Sequence, residues 1–504
     1  MTKPVVPAPS HTHHRPGLGR ALYEEFRACI ADGTYAPGAR LPSSRALAAE
    51  RGIARATVAL VYEQLAADGF IDTRPGAVGR VATGGALAPG RIPQPQRAGT
   101  VHGPSGPLSA IGQRIAALAL RLPAPAAAGD IDFVYGPLAG SDFPTLGWMQ
   151  ALRAVERQRR RRLEYDDPRG LLALRQALQA HLAQTRGLVC SVEQLLIVNG
   201  SQQALDLCAR LLVDPGDAVA VENPGYRMAH HAFEAYGARL QFLDVDAQGV
   251  VTGQLARLEA VKLAYVTPTH QFPLGAFLPV GRRRELLDWA AQHEAWIIED
   301  DYDSEYRYAV RPEPALQSLD TQGRVIHVGT FSKTLSPQLR LGYMVLPPAL
   351  VEPFAAAKRL TDRHAATGVQ GALALLIEQG GYGRHVRRIR RMQQARQQAL
   401  VQALARHLGA RGVVQGAASG LHVVVWFQAL PACAEPALVA AAQRRGVRVY
   451  PITPLFHPQA PGSQPPRACG LIMGYALLEP ALIEQGVQRL AQALDEVERH
   501  HRQG

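Results

Sequence analysis

Residues 325–336 read VIHVGTFSKTLS: an apolar run, then a glycine, then a loop that carries Lys333. The apolar run predicts a buried strand over 325–328, because short apolar segments bounded by turn signals are typical of strands. Lys333 therefore follows the end of a strand. Lysine is scarce here, since only four of the 54 basic residues are lysines. The other three lie in the N-terminal tail, at a strand start and in a helical pattern, so Lys333 is the candidate for chemistry that needs an amine.

Similar apolar runs recur after residue 130, and each is followed by a segment of helical length. They cover 195–198, 218–221, 263–266 and 296–299. This alternation predicts a large, mostly parallel α/β sheet flanked by helices. From about residue 385 the pattern changes to long helices with strands near 421–427 and 470–476. The C-terminal part is therefore predicted to be a smaller α+β subdomain.

Polar side chains stand at the ends of the predicted strands. Ser201 and Gln202 follow strand 195–198 where a helix begins, and free amides at a helix start favour phosphate. Asp300 follows strand 296–299, and a carboxylate there can hold a pyridine nitrogen protonated. Taken singly, the glycine loop before Ser201 is an ordinary turn. The acidic cluster at 300–301 equally suits a metal site or a solvated loop.

Three further side chains belong to the same sheet edge. Tyr226 can stack on the ring of a flat ligand, and His270 can donate a hydrogen bond to a phenolic oxygen on such a ring. Arg340, seven residues beyond Lys333, matches two phosphate oxygens. Taken alone, the segment with Tyr226 is ordinarily a simple turn, and His270 is ordinarily a structural histidine. Because an amine, a carboxylate, a stacking ring and a phosphate seat follow successive strands, we predict a pyridoxal phosphate site in which Lys333 forms the Schiff base.

Residues 41–58 predict a helix, a tight turn and a second helix. Ser43 can cap the first helix, which places Ser44 and Arg45 in its exposed first turn. Gly52 makes the turn. The second helix is expected to be anchored in the core by Val58, Leu60 and Leu65.

This second helix can enter the major groove of double-stranded DNA, with Arg55 and Thr57 facing bases or phosphates. Two short strands follow, and Arg74, Gly76 and Arg80 would form a wing tip that meets phosphate or the minor groove. A three-helix module that binds another protein is the alternative. Charge does not decide between them, because residues 1–83 hold 10 basic and 7 acidic residues.

Composition divides the chain into five segments. Residues 1–15 predict a disordered tail, 16–83 a winged helix-turn-helix domain, 84–129 a linker rich in proline and glycine, 130–384 the large domain, and 385–504 the small subdomain. The linker permits the two folded parts to keep separate functions.

The net charge of +12 permits a polyanion partner but is weak evidence alone. Five scattered cysteines without a C-x-x-C pair argue against a disulfide framework or a zinc cluster, and no metal site is predicted. No run approaches 18 apolar residues and no signal peptide is evident, so we expect a cytoplasmic protein without a membrane partner.

Two helical stretches are dense in arginine. We expect solvated faces with ion pairs; the alternative is an extension of the DNA-binding surface. The residues are Arg153, Arg157, Arg159–Arg162, Arg384, Arg387, Arg388, Arg390, Arg391 and Arg396.

The string LPSSRALAAERGIARATVALVYEQLAADGFIDTRPG (41–76) resembles the winged helix-turn-helix of the GntR family of bacterial transcription regulators. Residues 130–500 resemble the aspartate aminotransferase fold, and the whole chain resembles the MocR-type (GabR-like) branch of that family. Two departures stand out: Ala54 replaces the usual serine helix cap, and Ala-Val-Gly-Arg80 replaces the usual Ser-Gly-Thr wing.

The resemblance implies a head-to-tail homodimer and a role for each site residue. Lys333 would be the Schiff-base lysine, Asp300 the partner of the pyridine nitrogen and Tyr302 a contact of the phenolic oxygen. His270 stands where aminotransferases have an asparagine. The stacking ring would be Tyr226, Tyr165 would reach the phosphate across the dimer interface, and the phosphate would be surrounded by Ser201, Gln202, Thr330, Ser332 and Arg340.

One expected arginine is missing. Aminotransferases hold the substrate carboxylate with an arginine on the strand that corresponds to 470–476, and Ile472 stands at that position, with Arg467 nearby. We therefore expect a transcription regulator whose pocket senses pyridoxal phosphate itself or an amino compound as effector. The alternatives are a working aminotransferase with an attached DNA-binding domain, and a DNA-binding scaffold with an empty vestigial pocket.

Overall fold

The computed structural model describes residues 18–73, 78–83, 106–118, 120, 126–127, 129–158, 164–308, 314–458, 460 and 466–503. The predicted tail over 1–15 and most of the predicted linker lie outside these residues. The chain forms two compact units that divide between Pro107 and Leu108.

The N-terminal unit is three helices followed by a short antiparallel strand pair. Its elements are α1 (Leu18–Ala31), α2 (Ser44–Arg51), α3 (Arg55–Ala67), β1 (Ile71–Asp72) and β2 (Arg80–Val81). The buried stripe of α3 is Val58, Val61, Tyr62 and Leu65. The prediction that Leu60 anchors this helix is wrong, because position 60 falls beside the stripe and its side chain is 65% exposed.

The second unit carries eleven of the described α-helices. They are α4 (Ala110–Ala117), α5 (Thr145–Arg157), α6 (Leu172–Arg186), α7 (Ser201–Leu212), α8 (Arg227–Ala235), α9 (Val280–Gln292), α10 (Val351–Asp362), α11 (Thr367–Glu378), α12 (Gly381–Leu408), α13 (Glu435–Gln443) and α14 (Pro480–Gln503).

Its strands form one large sheet and two small ones. They are β3 (Ile131–Asp132), β4 (Leu195–Val198), β5 (Ala218–Asn223), β6 (Arg239–Asp246), β7 (Gly249–Val250), β8 (Val261–Val266), β9 (Trp296–Asp301), β10 (Val325–Thr330), β11 (Gly342–Val345), β12 (Val413–Gln415), β13 (His422–Pro431), β14 (Val447–Arg448), β15 (Tyr450–Pro451) and β16 (Ala468–Gly474).

The large sheet has the strand order β4-β11-β10-β9-β8-β5-β6-β7. Neighbours from β10 through β6 are parallel, while β11 is antiparallel to both β4 and β10. Strands β4, β5 and β10 are buried throughout, as expected for a sheet covered on both faces, whereas β6 near one edge is mostly part-exposed. The predicted mostly parallel α/β fold is confirmed, and the loops that follow β4, β5, β8, β9 and β10 meet at one edge.

The small subdomain is built on a four-stranded sheet of order β12-β13-β16-β15. Strand β3 pairs with β14, and Phe133 is buried in the same core as Val423 and Leu471. Residues 131–133 therefore pack with the small subdomain, although the sequence analysis assigned them to the large domain, because strand pairing over long sequence separation is invisible to local patterns.

Helix α4 lies inside the range predicted as linker. Ser109 caps it by accepting a hydrogen bond from the Gly112 N–H at 3.2 Å, and Arg114 donates to the Ala235 carbonyl at 2.9 Å. The dense prolines and glycines end at 107, so a capped helix can form beyond that point.

Candidate functional site

A cavity of about 360 Å³ opens where the loops after the parallel strands meet. Nine of the eleven predicted cofactor residues line it: Ser201, Gln202, Tyr226, Asp300, Tyr302, Thr330, Ser332, Lys333 and Arg340. The structure thus brings together side chains that lie as far as 139 positions apart in the chain.

Lys333 extends into this cavity from the loop after β10. Its Nζ donates to the Gly136 carbonyl at 2.7 Å. Burial lowers the pKa of Lys333 below its ordinary value, while the negative charges of Asp303 and Asp300 oppose that shift. An amine with a lowered pKa is more often in the neutral form that attacks a carbonyl carbon.

Asp300 supplies a buried carboxylate at the end of β9. Its Oδ2 accepts from the Tyr265 hydroxyl at 2.7 Å, whereas its Oδ1 is buried and has no hydrogen-bond partner among the described residues. Burial raises the pKa of Asp300 to about 6, and the Tyr265 hydrogen bond opposes the shift. A buried acceptor left unpaired is costly, and the protonated ring nitrogen of pyridoxal phosphate is the donor that this oxygen fits.

The opposite end of the cavity suits a phosphate group. Ser201 begins α7 directly after Gly200, which has a φ of +90°. A Cβ at Gly200 would lie 3.1 Å from Arg340 Nη2, so glycine lets the guanidinium approach the backbone closely here. Free amides of a helix start beside an arginine form an anion site. Together with Lys333 and Asp300, this arrangement fits pyridoxal phosphate.

The cavity has an aromatic wall in which Tyr226 meets Phe272, their ring centroids 5.9 Å apart. Burial raises the pKa of Tyr226 to about 12, so its hydroxyl stays protonated. Phe272 was not predicted from the sequence, because within 267–275 only His270 carried a recognisable chemical signal.

His270 does not line the cavity. Its Nδ1 lies 2.9 Å from the Tyr302 hydroxyl and 2.9 Å from Asp303 Oδ2, behind the wall. The predicted direct contact of His270 with the cofactor stays a prediction; in this structure His270 contacts Tyr302, the tyrosine predicted to contact the phenolic oxygen. The loop turns after Gln271, and the strand pattern gave no sign of that turn.

Tyr165 also lies away from this cavity, with its side chain 72% exposed. The Arg363 guanidinium stands 4.9 Å from its ring centroid. Within one chain Tyr165 therefore makes no contribution to the site.

Further lining residues come from parts of the sequence that carry no local signal of a site. They are Tyr135, Gly136, Tyr265, Thr267, Asp303, Pro337, Leu421 and His422. Tyr265 could have been noticed as a polar hydroxyl within an apolar strand. His422 is brought in by β13 of the small subdomain, which no spacing rule predicts.

Ile472 lies in β16 and is fully buried in an apolar cluster with Phe272 and Val424. Arg467 is exposed just before that strand. Among the described residues that line the cavity, Arg340 is the only arginine.

The helix-turn-helix has the predicted caps. Ser43 Oγ accepts from the Ala46 N–H at 3.1 Å, and Gly52 ends α2 with a φ of +63°. Helix α3 begins at Arg55 after Ala54, which provides no side-chain cap.

The predicted DNA contacts differ in exposure. Arg45 and Arg55 are exposed, Ser44 and Thr57 are half-buried, and Arg80 donates to the Gly38 carbonyl at 2.9 Å. The Thr57 methyl lies 3.3 Å from where a Gly19 Cβ would be, so Thr57 faces α1 in part. Arg74 and Gly76 lie outside the described residues.

Replacing Ala54 with serine is expected to stabilise the N-terminal unit by about 1 kcal/mol, because a serine hydroxyl can accept from a free amide of the first turn of α3. Thermal unfolding of residues 16–83 would measure the change, and Ala56→Ser, inside the same helix, is the control. A stabilisation no larger than that of the control would contradict the assignment of Ala54 as an uncapped helix start.

Comparisons with known proteins agree with this geometry. Residues 18–81 match the family described as bacterial regulatory proteins, gntR family, and residues 137–463 match aminotransferase class I and II. The chain is 37% identical over 478 residues to the probable rhizopine catabolism regulatory protein MocR of Rhizobium meliloti, covering 94% of this chain and 93% of that protein. The chain belongs to the MocR-type branch of the GntR family.

Other similarities of this MocR-type chain point the same way. It is 34% identical to the HTH-type transcriptional regulator TauR of Rhodobacter capsulatus, over 95% of this chain and 98% of that protein. A multiple substrate aminotransferase from Thermococcus profundus superposes with a TM-score of 0.68 at 28% identity, covering 74% of this chain and 93% of that one. The chain is a DNA-binding transcription regulator whose aminotransferase-like domain binds pyridoxal phosphate.

The arginines of helix α12 in this MocR-type regulator fall into two groups, one that contacts the domain and one that is exposed. Arg396 is buried in ion pairs with Asp142 at 2.6 Å and Glu479 at 3.0 Å. Arg388 and Arg390 donate to the carbonyls of Asp142 and Arg307. The expected ion pairs are present at Arg396, but these residues do not lie on a solvated face, because the helix packs one side against the body of the domain.

The opposite face of α12 is free of such contacts. Arg384, Arg387 and Arg391 are exposed and make no ion pair with any described residue. Arg153 and Arg157 on α5 are also exposed, and Arg159–Arg162 lie outside the described residues.

None of the described helices is long and apolar enough to cross a membrane.

Proposed function

We propose that the state of the cavity controls how the winged helices of a head-to-tail homodimer bind paired DNA half-sites. The observation that carries this proposal is the cavity itself: it retains Lys333 and the unpaired oxygen of Asp300 in a chain that also has a DNA-binding unit. A ligand can shift such an arrangement only if it binds one state more tightly than the other.

Each cavity residue has a defined task in this proposal. Bound pyridoxal phosphate would supply an aldehyde and an electron-withdrawing ring. Lys333 would provide the amine that reacts with this aldehyde, while Asp300 would accept a hydrogen bond from the ring nitrogen. Tyr226 would support the ring, and the Tyr302 hydroxyl, which contacts His270, would face the phenolic oxygen. The phosphate would be held by Ser201, Gln202, Thr330, Ser332 and Arg340.

Tyr165 supports the dimeric part of the proposal. Its ring is exposed beside Arg363, and it would reach the phosphate of the partner's pocket in a head-to-tail dimer. The proposed domains keep the predicted bounds of 16–83, 130–384 and 385–504, with residues 131–133 packing on the small subdomain.

The effector is proposed to be pyridoxal phosphate itself or an amino compound without an ordinary α-carboxylate. A buried carboxylate needs a paired cation, and Ile472 occupies the strand that would provide one. A working aminotransferase is the second candidate, which the intact set of Lys333, Asp300 and Tyr226 favours. Stopped-flow absorbance with common α-amino acids separates the two, because rapid conversion of the lysine-bound cofactor would contradict a pure sensor.

Cofactor binding is expected to weaken about tenfold when the pH falls from about 7 to about 5. Burial raises the pKa of Asp300 to about 6, so acid protonates the carboxylate that the ring nitrogen requires. Fluorescence titration of pyridoxal phosphate at each pH would measure this. Asp300→Asn cannot ionise at this position, so its cofactor affinity should lack the part of the pH dependence that Asp300 causes. An identical pH dependence of affinity in both proteins would contradict the role of Asp300.

Neutralising Arg384, Arg387 and Arg391 together tests whether α12 extends the DNA-binding surface. Positions spaced by three and four residues share one helix face. If all three contact phosphates, the triple glutamine variant should lower the slope of log affinity against log salt by about 2 to 3. The control replaces Arg406, Arg411 and Arg444, which already pair with carboxylates. Equal slopes in the two variants would refute the extension.

A further inference from the structure

Asp362 is an unusual residue for its position. It ends α10, where a carboxylate opposes the partial negative charge of the helix C-terminus. Its Oδ1 lies 2.6 Å from Lys358 Nζ, and its Oδ2 accepts from Asn199 Nδ2 at 2.6 Å and from Gln203 Nε2 at 2.8 Å. Lys358 is fully buried, and burial lowers its pKa while Asp362 opposes that shift. The ion pair with Lys358 and the two amide hydrogen bonds offset the repulsion between this carboxylate and the helix C-terminus.

The partners of Asp362 belong to the connection between β4 and α7. The Asn199 N–H donates to Gln203 Oε1 at 2.8 Å, and the Asn199 carbonyl accepts from Arg340 Nη2 at 2.6 Å. The next residue is Gly200, against which the Arg340 guanidinium packs. The peptide at 199–200 is therefore held between Asp362 on one side and Arg340 on the other.

We propose that Asp362 is a positioning residue for the phosphate end of the cavity. By holding Asn199 and Gln203 it fixes the start of α7, and through the Asn199 carbonyl it orients the Arg340 guanidinium. Asp362 does not itself line the cavity. The inference rests on the proposed function, because it takes the start of α7 and Arg340 as the phosphate seat.

A specific consequence follows for ligand selection. Pyridoxal lacks the phosphate but keeps the aldehyde and the whole ring, so it would use Lys333, Asp300 and the ring contacts but not the phosphate seat. Loss of the Asp362 contacts should therefore weaken binding of pyridoxal phosphate and leave binding of pyridoxal unchanged. A merely structural role would weaken both ligands together.

The experiment titrates the full-length protein with pyridoxal phosphate and with pyridoxal by isothermal calorimetry. Two variants are compared with the wild type: Gln203→Met, which leaves the Lys358–Asp362 ion pair intact, and Lys358→Met with Asp362→Asn, which leaves no unpaired buried charge. Each is expected to raise the Kd for pyridoxal phosphate about tenfold, as loss of roughly one or two buried hydrogen bonds predicts. The Kd for pyridoxal should change less than about twofold, a difference below half a kcal/mol.

Equal weakening of both ligands, or unchanged discrimination between them, would overturn the role of Asp362. Wild-type protein that binds neither aldehyde would contradict the proposed function, and this inference with it. If the wild type binds pyridoxal phosphate more tightly than pyridoxal and the variants keep the same ratio of Kd values, only the positioning role of Asp362 is contradicted.

Discussion

Lys333→Ala is expected to bind pyridoxal phosphate at least about a hundredfold more weakly than the wild type, a loss of about 2.7 kcal/mol. The reason is that Lys333 is the one described lysine in the cavity, and in the proposed function its amine forms the covalent bond that retains the ligand. The variant should also lack the visible absorbance of lysine-bound cofactor after dialysis. Absorbance spectra and calorimetric titration would measure both changes.

Lys262→Ala is the matched control, because Lys262 is an exposed lysine on β8. It should keep the absorbance and the affinity of the wild type. Retention of dialysis-resistant, visible cofactor in Lys333→Ala would show that another group holds the ligand, and would remove the basis of the cofactor assignment.

Arg396→Met is expected to destabilise the second unit by about 3–5 kcal/mol. The substitution leaves Asp142, only 4% exposed, buried without the guanidinium that pairs with it at 2.6 Å. Urea unfolding followed by tryptophan fluorescence would measure the free energy of unfolding of this unit.

Arg406→Met is the control on the same helix. Arg406 pairs with Glu484 at 2.6 Å but its side chain is 61% exposed, and exposed ion pairs contribute about 0–1 kcal/mol. A loss in Arg396→Met no greater than that in Arg406→Met would mean that Asp142 finds another partner and that the buried pair is not required for stability.

The cofactor cavity was predictable because reactive side chains that follow apolar strand segments can be seen in the local sequence. Lys333, Asp300 and Ser201 each lie within five residues after an apolar run, and the sheet brings such ends together. His270 was predicted to contact the cofactor but does not line the cavity, because its loop packs against Asp303 and Tyr302. The Phe272 ring and His422, which arrives from a different subdomain, were missed for the same reason.

Helix faces were less predictable than strand ends. Leu60 was assigned to the core of the winged helix, although the buried stripe of α3 runs through Val61. On α12 the seven arginines look alike in sequence, yet Arg396 is buried and Arg391 is exposed. Which side of a charged helix meets the domain depends on tertiary contacts, which no local periodicity encodes.

Under the proposed function, the cavity controls DNA binding. The most direct measurement is a titration of pyridoxal phosphate against the full-length protein bound to the DNA upstream of its own gene, followed by footprinting and by affinity. We predict a cofactor-dependent change in affinity, footprint or DNA bending that Lys333→Ala does not show. An identical complex at every cofactor concentration, in protein that demonstrably binds the cofactor, would contradict the claim.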